Sequence, residues 1–108
     1  VFDTGQREYL PLGAVAVLGR GPAPAVPTDL TITVHDDEGT VSKNHLRLEH
    51  ARDGVWLTDL GSTNGTEVLA DDGTTAALPA ATRLALPEGA RVRLGRRAFT
   101  VSLVVRGA

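Results

Sequence analysis

The sequence predicts an all-β fold, an antiparallel sandwich or barrel, and three observations carry that reading. Short runs alternate apolar and polar side chains at period two, the repeat that sends successive residues to opposite faces of a strand. Twelve Gly and six Pro punctuate the chain, so the longest stretch free of both, residues 40–53, is too short and too regularly alternating for a long helix. Twelve Val, twelve Thr and one Ile supply β-branched side chains, which suit a pleated surface better than a helical turn.

Taken in order, the strand candidates are Ala14-Val15-Ala16-Val17-Leu18, Leu30-Thr31-Ile32-Thr33-Val34, His45-Leu46-Arg47-Leu48-Glu49-His50, Val55-Trp56-Leu57-Thr58, Arg91-Val92-Arg93-Leu94 and the stretch 99–105. In the third, Leu46 and Leu48 share one face. Phe2, Trp56 and Phe99 are expected as the large core pieces, with Leu18, Ile32, Leu48, Leu57, Leu94 and Val101 packed around them. Between the first two candidates, Gly21-Pro22-Ala23-Pro24-Ala25-Val26-Pro27 is a loop, because proline cannot donate to a ladder. Asp71-Asp72-Gly73 marks a second loop. Asn64-Gly65 lies between residues 55–59 and 67–69 and reads as a type I′ hairpin turn, since both residue types tolerate positive φ.

The 108 residues are enough for one domain with a real core, and the expectation is a single domain over 1–108, part of a longer protein. Eleven basic against thirteen acidic side chains give a net charge of −2, which argues against nucleic-acid or anionic-membrane binding as the main task. Any anion site must therefore be local. The absence of Cys removes disulfides, thiol nucleophiles and zinc–thiolate clusters, and is compatible with the expected cytoplasmic location. No apolar run approaches the roughly 20 residues that span a bilayer, and Val1-Phe2-Asp3 lacks the regions of a signal peptide.

Four groups of small polar or basic residues fall at strand-to-loop junctions: Gly19-Arg20, Ser42-Lys43-Asn44-His45, Leu60-Gly61-Ser62-Thr63-Asn64-Gly65-Thr66, and Pro87-Glu88-Gly89 leading to Leu94-Gly95. Singly, each is ordinary: an exposed Arg is usually solvated and a loop Ser usually a turn hydroxyl. In this order they resemble the forkhead-associated (FHA) domain, a phosphothreonine-binding β-sandwich. The resemblance implies an eleven-stranded, twisted antiparallel sandwich with the loops of one end gathered into a peptide site. It implies a phosphopeptide-binding set of Arg20 on the phosphate, Ser42 donating to a phosphate oxygen, Lys43 at a position often held by Arg or Asn, Thr63 completing the cradle and Asn64 fixing the peptide main chain. Gly19, His45 and Gly65 are implied as loop-structuring residues. The implied partner is a phosphothreonine-containing protein or peptide, a Ser/Thr kinase or its substrate, bound without catalysis, metal or cofactor. The alternative is a sandwich that binds partners or itself without phosphate.

Elementary chemistry agrees with those roles. Phosphothreonine carries about −1.5 to −2 charges and three acceptor oxygens, so a selective site needs a fork-shaped cation and short neutral donors. Arg20, Ser42 and Thr63 are such a set, and an Asn amide can meet a backbone N–H and C=O together. Three departures bear on the site, one being that Thr66-Glu67-Val68-Leu69 continues after Gly65 without the family's usual Asn-Gly. The proline-rich loop is long for the family and falls beside Arg20. The trio Asp36-Asp37-Glu38 precedes Ser42, reads as a solvated turn and, if it borders the site, favours basic peptides.

Other readings are weaker. Asp3-Thr4-Gly5 matches the aspartic-protease triplet, yet almost nothing precedes it to brace such a loop and no second triplet exists. His35 and His50 near the acidic trio are a poor metal set. Arg96-Arg97 reads as surface, because neighbouring strand residues point to opposite faces.

Overall fold

The computed structural model describes residues 1–103. They form nine strands: β1 (Val15–Gly19), β2 (Leu30–Thr33), β3 (Leu46–Ala51), β4 (Gly54–Asp59), β5 (Thr66–Leu69), β6 (Thr75–Ala77), β7 (Arg83–Ala85), β8 (Arg91–Leu94) and β9 (Arg97–Thr100). A five-stranded sheet in the order β2-β1-β3-β4-β7 faces a four-stranded sheet in the order β6-β5-β8-β9. The all-β sandwich is as expected, with fewer strands than eleven among the described residues. Two further pairings reach only single bridges, Phe2 with Phe99 and Asp59 with Ala80. No described helix is long and apolar enough to cross a membrane.

Every strand pair is antiparallel except β1 with β2, which run parallel with Leu18 opposite Ile32. A parallel neighbour forces the chain to double back before β2 begins, and the proline-rich stretch makes that return without ladder hydrogen bonds. The expected strand at 99–105 is only Arg97–Thr100 here, and Val104 and Val105 lie outside the described residues.

Alternation puts Ala16, Leu18, Ile32, Leu46, Leu48 and Leu57 of the larger sheet against Val68, Val92, Leu94 and Phe99 of the smaller. Phe2 joins them, its ring centroid 5.2 Å from that of Phe99. Trp56 does not belong to this core. Leu57 is fully buried, so its neighbour in the strand must face the other way. Trp56 is half-buried on the outer face, where the Arg83 guanidinium lies 3.9 Å from its ring centroid and its Nε1–H donates to Asp53 at 2.9 Å.

The Asn64-Gly65 hairpin is also overturned, because β4 and β5 belong to different sheets. Gly65 has φ 79° while Asn64 keeps a negative φ, so no type I′ turn forms. Residues 60–65 instead carry the chain across the sandwich. The tight hairpin is the preceding one, where Ala51 pairs with Gly54 to join β3 and β4. Asp71-Asp72-Gly73 does form the expected turn, with the Asp72 carboxylate accepting from Thr74 N and Oγ1.

The two sides of β4 should respond differently to substitution. Leu57→Ala opens a cavity in a closed core and is expected to cost about 2–5 kcal/mol. Trp56→Phe keeps most of the ring and loses one exposed hydrogen bond, a cost of about 1 kcal/mol or less. Urea denaturation followed by circular dichroism separates the two.

Candidate phosphopeptide site

The site end is built by backbone pairing between the chain leaving β1 and the chain entering β3. Leu18 O accepts from His45 N at 2.8 Å, Ser42 O from Arg20 N at 3.0 Å and Lys43 O from Gly21 N at 3.4 Å. Gly19 lies so close to this segment that an added Cβ would sit 2.8 Å from Ser42 O and 2.7 Å from Lys43 C, so only glycine fits. Its neighbour Arg20 is thereby turned outward and is exposed. The long proline loop does not cover it. Ala23 N donates to Asn44 Oδ1 at 2.9 Å, and the Asp29 carboxylate accepts from Ala25 N and Val26 N, so the loop is tied down beside the 42–45 segment.

His45 is fully buried and joins three loops. Its Nδ1 accepts from Ser42 N at 3.0 Å, which leaves the ring proton on Nε2 to donate to Gly65 O at 2.9 Å. Burial holds its pKa below the ordinary value, although the Gly65 carbonyl and the Asp59 charge oppose that shift. The neutral ring is the form this arrangement needs, since a proton on Nδ1 would confront Ser42 N–H.

Asp59, at the end of β4, organises the crossing loop. Oδ1 accepts from Ser62 Oγ at 2.6 Å and Thr66 Oγ1 at 2.7 Å, and Oδ2 from Gly61 N and Ser62 N at 3.0 Å each. Burial works to raise its pKa, but these four donors outweigh it and hold the carboxyl below its ordinary value. Thr63 N then donates to Ser42 Oγ at 3.0 Å. A hydroxyl that accepts through its oxygen keeps its own hydrogen for another acceptor, so Ser42 can still donate outward. Asn64 Nδ2 donates to Thr40 O at 2.8 Å.

Of the residues singled out in the sequence, Arg20, Lys43, Thr63 and Asn64 are exposed and Ser42 is half-buried. Their loops are laced together by the bonds just described, while Gly19, His45 and Gly65 lie behind them. Arg20 has no ion-pair partner among the described residues. The acidic trio is not a simple solvated turn. Asp36 Oδ2 accepts from Thr40 N at 2.5 Å, Thr40 Oγ1 at 2.8 Å and Val41 N at 3.0 Å, and its Oδ1 lies 3.8 Å from Arg97 Nε. Arg97 is accordingly not plain surface: it sits between Asp36 and Asp3, the latter 3.9 Å away. His50 Nδ1 donates to Leu10 O and takes no part in the site.

A family model described as FHA domain matches residues 16–95. The chain belongs to the FHA family. No curated protein matches it significantly. Among solved structures it is similar to the FhaA FHA domain complexed with the intracellular domain of Rv3910, at 25% identity over 89% of this chain and 88% of that one, TM-score 0.57. It is similar also to the FHA domain of an Arabidopsis thaliana hypothetical protein, at 26% identity over 90% and 75%, TM-score 0.57. The FHA domain of CT664 from Chlamydia trachomatis shares the fold at 22% identity over 93% and 88%, TM-score 0.66.

Several supports of this FHA domain were given no supporting role in the sequence: Asp59, Thr40, Asn44 and Gly95, with Asp36 read as part of a solvated turn. Asp59 carried a usable signal, an Asp with Gly-Ser two and three residues on, the pattern in which a carboxylate accepts from those amides. The bond from Asn44 to the proline loop had no such local mark.

The His45 geometry predicts an acid-sensitive step. Its pKa is lowered on folding, so the unfolded chain binds the proton more readily and stability falls as pH drops below about 6.5 until the folded-state value is reached. The slope is at most about 1.4 kcal/mol per pH unit. Asp59 and Asp36, both lowered, retain their contribution there and lose it only as pH falls below about 3.8 and through their folded-state values. Thermal unfolding at pH 7.5, 6.5 and 5.5 should show the step in the native protein and a smaller one in His45→Gln, whose amide does not titrate and can replace the Nε2 donor to Gly65.

Proposed function

We propose that this FHA domain is a non-catalytic module that recognises phosphothreonine peptides in Ser/Thr-kinase signalling, with Arg20, Ser42, Lys43, Thr63 and Asn64 as its contact residues. The observation that carries the reading is the unpaired, outward Arg20 held by backbone bonds beside a Ser42 hydroxyl whose hydrogen is free. A guanidinium and a hydroxyl offer the charge-assisted donors that a phosphate dianion rewards. Lys43 adds a second cation, and Thr63 a short hydroxyl. Asn64 retains one amide hydrogen and its carbonyl oxygen for an extended peptide backbone.

The absence of catalysis is part of the proposal and has a positive support: both His45 nitrogens are bonded to backbone groups, so the one ring near the site is not available as a base. The partner is a phosphorylated protein segment from a kinase or its substrate. The FhaA FHA domain, a 25% identical relative, is known in complex with a protein segment, the intracellular domain of Rv3910.

Fluorescence anisotropy with a phosphothreonine peptide library and its unphosphorylated copy tests this. Binding is expected only to the phosphorylated set. Arg20→Ala and Ser42→Ala should each weaken it about tenfold or more, because a hydrogen bond to a charged group contributes about 1.5–3 kcal/mol. Equal binding of both sets would return the domain to the phosphate-independent reading.

A further inference from the structure

The turn between β8 and β9 reaches the same residue that Asn64 holds. Gly95, at φ 58°, is pressed so closely onto Thr40 that an added Cβ would lie 2.6 Å from Thr40 Oγ1 and 2.7 Å from Thr40 C. Gly95 N donates to Gly65 O at 3.4 Å and Arg96 N to Thr40 Oγ1 at 2.8 Å, while Thr40 O accepts from Asn64. The backbone of Arg96 is therefore fixed at the same threonine that Asn64 holds, on the rim, and its side chain extends into solvent. That side chain is 71% exposed, and its one ion-pair partner among the described residues is Glu38, 49% exposed and 3.4 Å away.

The acidic trio is partly neutralised at this rim. Asp36 is sealed against solvent by its amide and hydroxyl donors and faces Arg97, and Glu38 is matched by Arg96. Of the three, Asp37 alone has no ion-pair partner among the described residues, where Arg20 and Lys43 are likewise unpaired. An exposed single-contact pair such as Arg96–Glu38 contributes little. A guanidinium has five donors in a fork that matches a carboxylate, so an incoming acid can replace Glu38 at small cost.

We propose that Arg96 reads an acidic side chain on the flank of the bound phosphothreonine peptide that passes over Asn64, with Glu38 as its resident competitor. This deepens the phosphopeptide reading, rests on it, and reverses the preference for basic peptides expected from the sequence. The group recognised is a carboxylate, held mainly by charge and therefore weakened by salt.

The test is an alanine-background phosphothreonine peptide with a single Asp or Lys moved through each position on both flanks. It is titrated against the native chain, Arg96→Ala, Arg96→Glu and Glu38→Gln, and the readout is the affinity ratio of each peptide to the background. In the native domain Asp is expected to give a gain of about two- to fivefold at positions on one flank. That ratio should fall to one in Arg96→Ala, pass in favour of Lys in Arg96→Glu and rise in Glu38→Gln. A flat scan, a native preference for Lys, or an Asp preference that survives Arg96→Ala overturns the inference. Arg20-dependent binding with a flat scan removes this inference alone, whereas a folded domain that binds no phosphopeptide removes the phosphopeptide reading as well.

Discussion

The buried polar knot of His45 and Asp59 is the constraint on which the rest of the site depends. Both side chains are buried, so each must find its partners among the loops, and those partners reach from the larger sheet to the smaller. His45 precedes β3 and Asp59 ends β4, while Gly65 and Thr66 open β5 across the sandwich. An unpaired buried polar group costs several kcal/mol, which makes the loop conformation that satisfies all of them strongly favoured over its neighbours. The crossing loop is thus shaped before any ligand arrives. Thr63 and Asn64 sit on that loop, and the Ser42 amide is fixed by the same imidazole, so little ordering entropy remains to be lost on binding.

Net charge and site charge are separate matters in this domain. The chain is weakly acidic overall, yet Arg20 and Lys43 emerge from adjacent loops without a carboxylate bonded to either among the described residues. Two of the carboxylates close in sequence to the site are turned inward: Asp59 caps the crossing loop, and Asp36 gathers the amides leading to Ser42. A cationic rim on an acidic protein favours a single dianion over a polyanion, because repulsion from the remaining surface grows with the extent of the ligand.

How much of this was legible in the sequence follows from the range over which each rule acts. Period-two alternation is local, so β1, β2, β3, β4 and β8 could be read directly. β6 and β7 could not, since Thr75-Ala76-Ala77 and Arg83-Leu84-Ala85 are short, exposed edge strands with no buried face to print a pattern. Trp56 misled because size suggested the core, while strand parity, which already gave that face to Leu57, decides. Asn64-Gly65 misled because a hairpin and a sheet-to-sheet crossing use the same residue types, and the choice between them is made by which strands pair. The loops that carry the residues proposed for the site are hydrogen-bonded to one another, and those residues were picked out through their family order. Asp36, Thr40 and Gly95 were not, because their roles appear only when distant segments meet.

The proline loop shows how an insertion can sit beside a binding site without closing it. A flexible stretch following Arg20 would sweep the space a ligand needs, and ordering it costs about 1–2 kcal/mol per residue of backbone entropy. Three prolines in residues 21–27 fix φ beforehand and shrink that cost in the unfolded chain. Side-chain hydrogen bonds help to set what remains, one from Ala23 to Asn44 and two to Asp29 from Ala25 and Val26. The first ties the loop to the very segment that carries Ser42 and Lys43. Asn44 thus does for the outer edge of the site what His45, the next residue, does for its base: one side chain turns outward to hold the insertion, the other inward to hold the crossing loop.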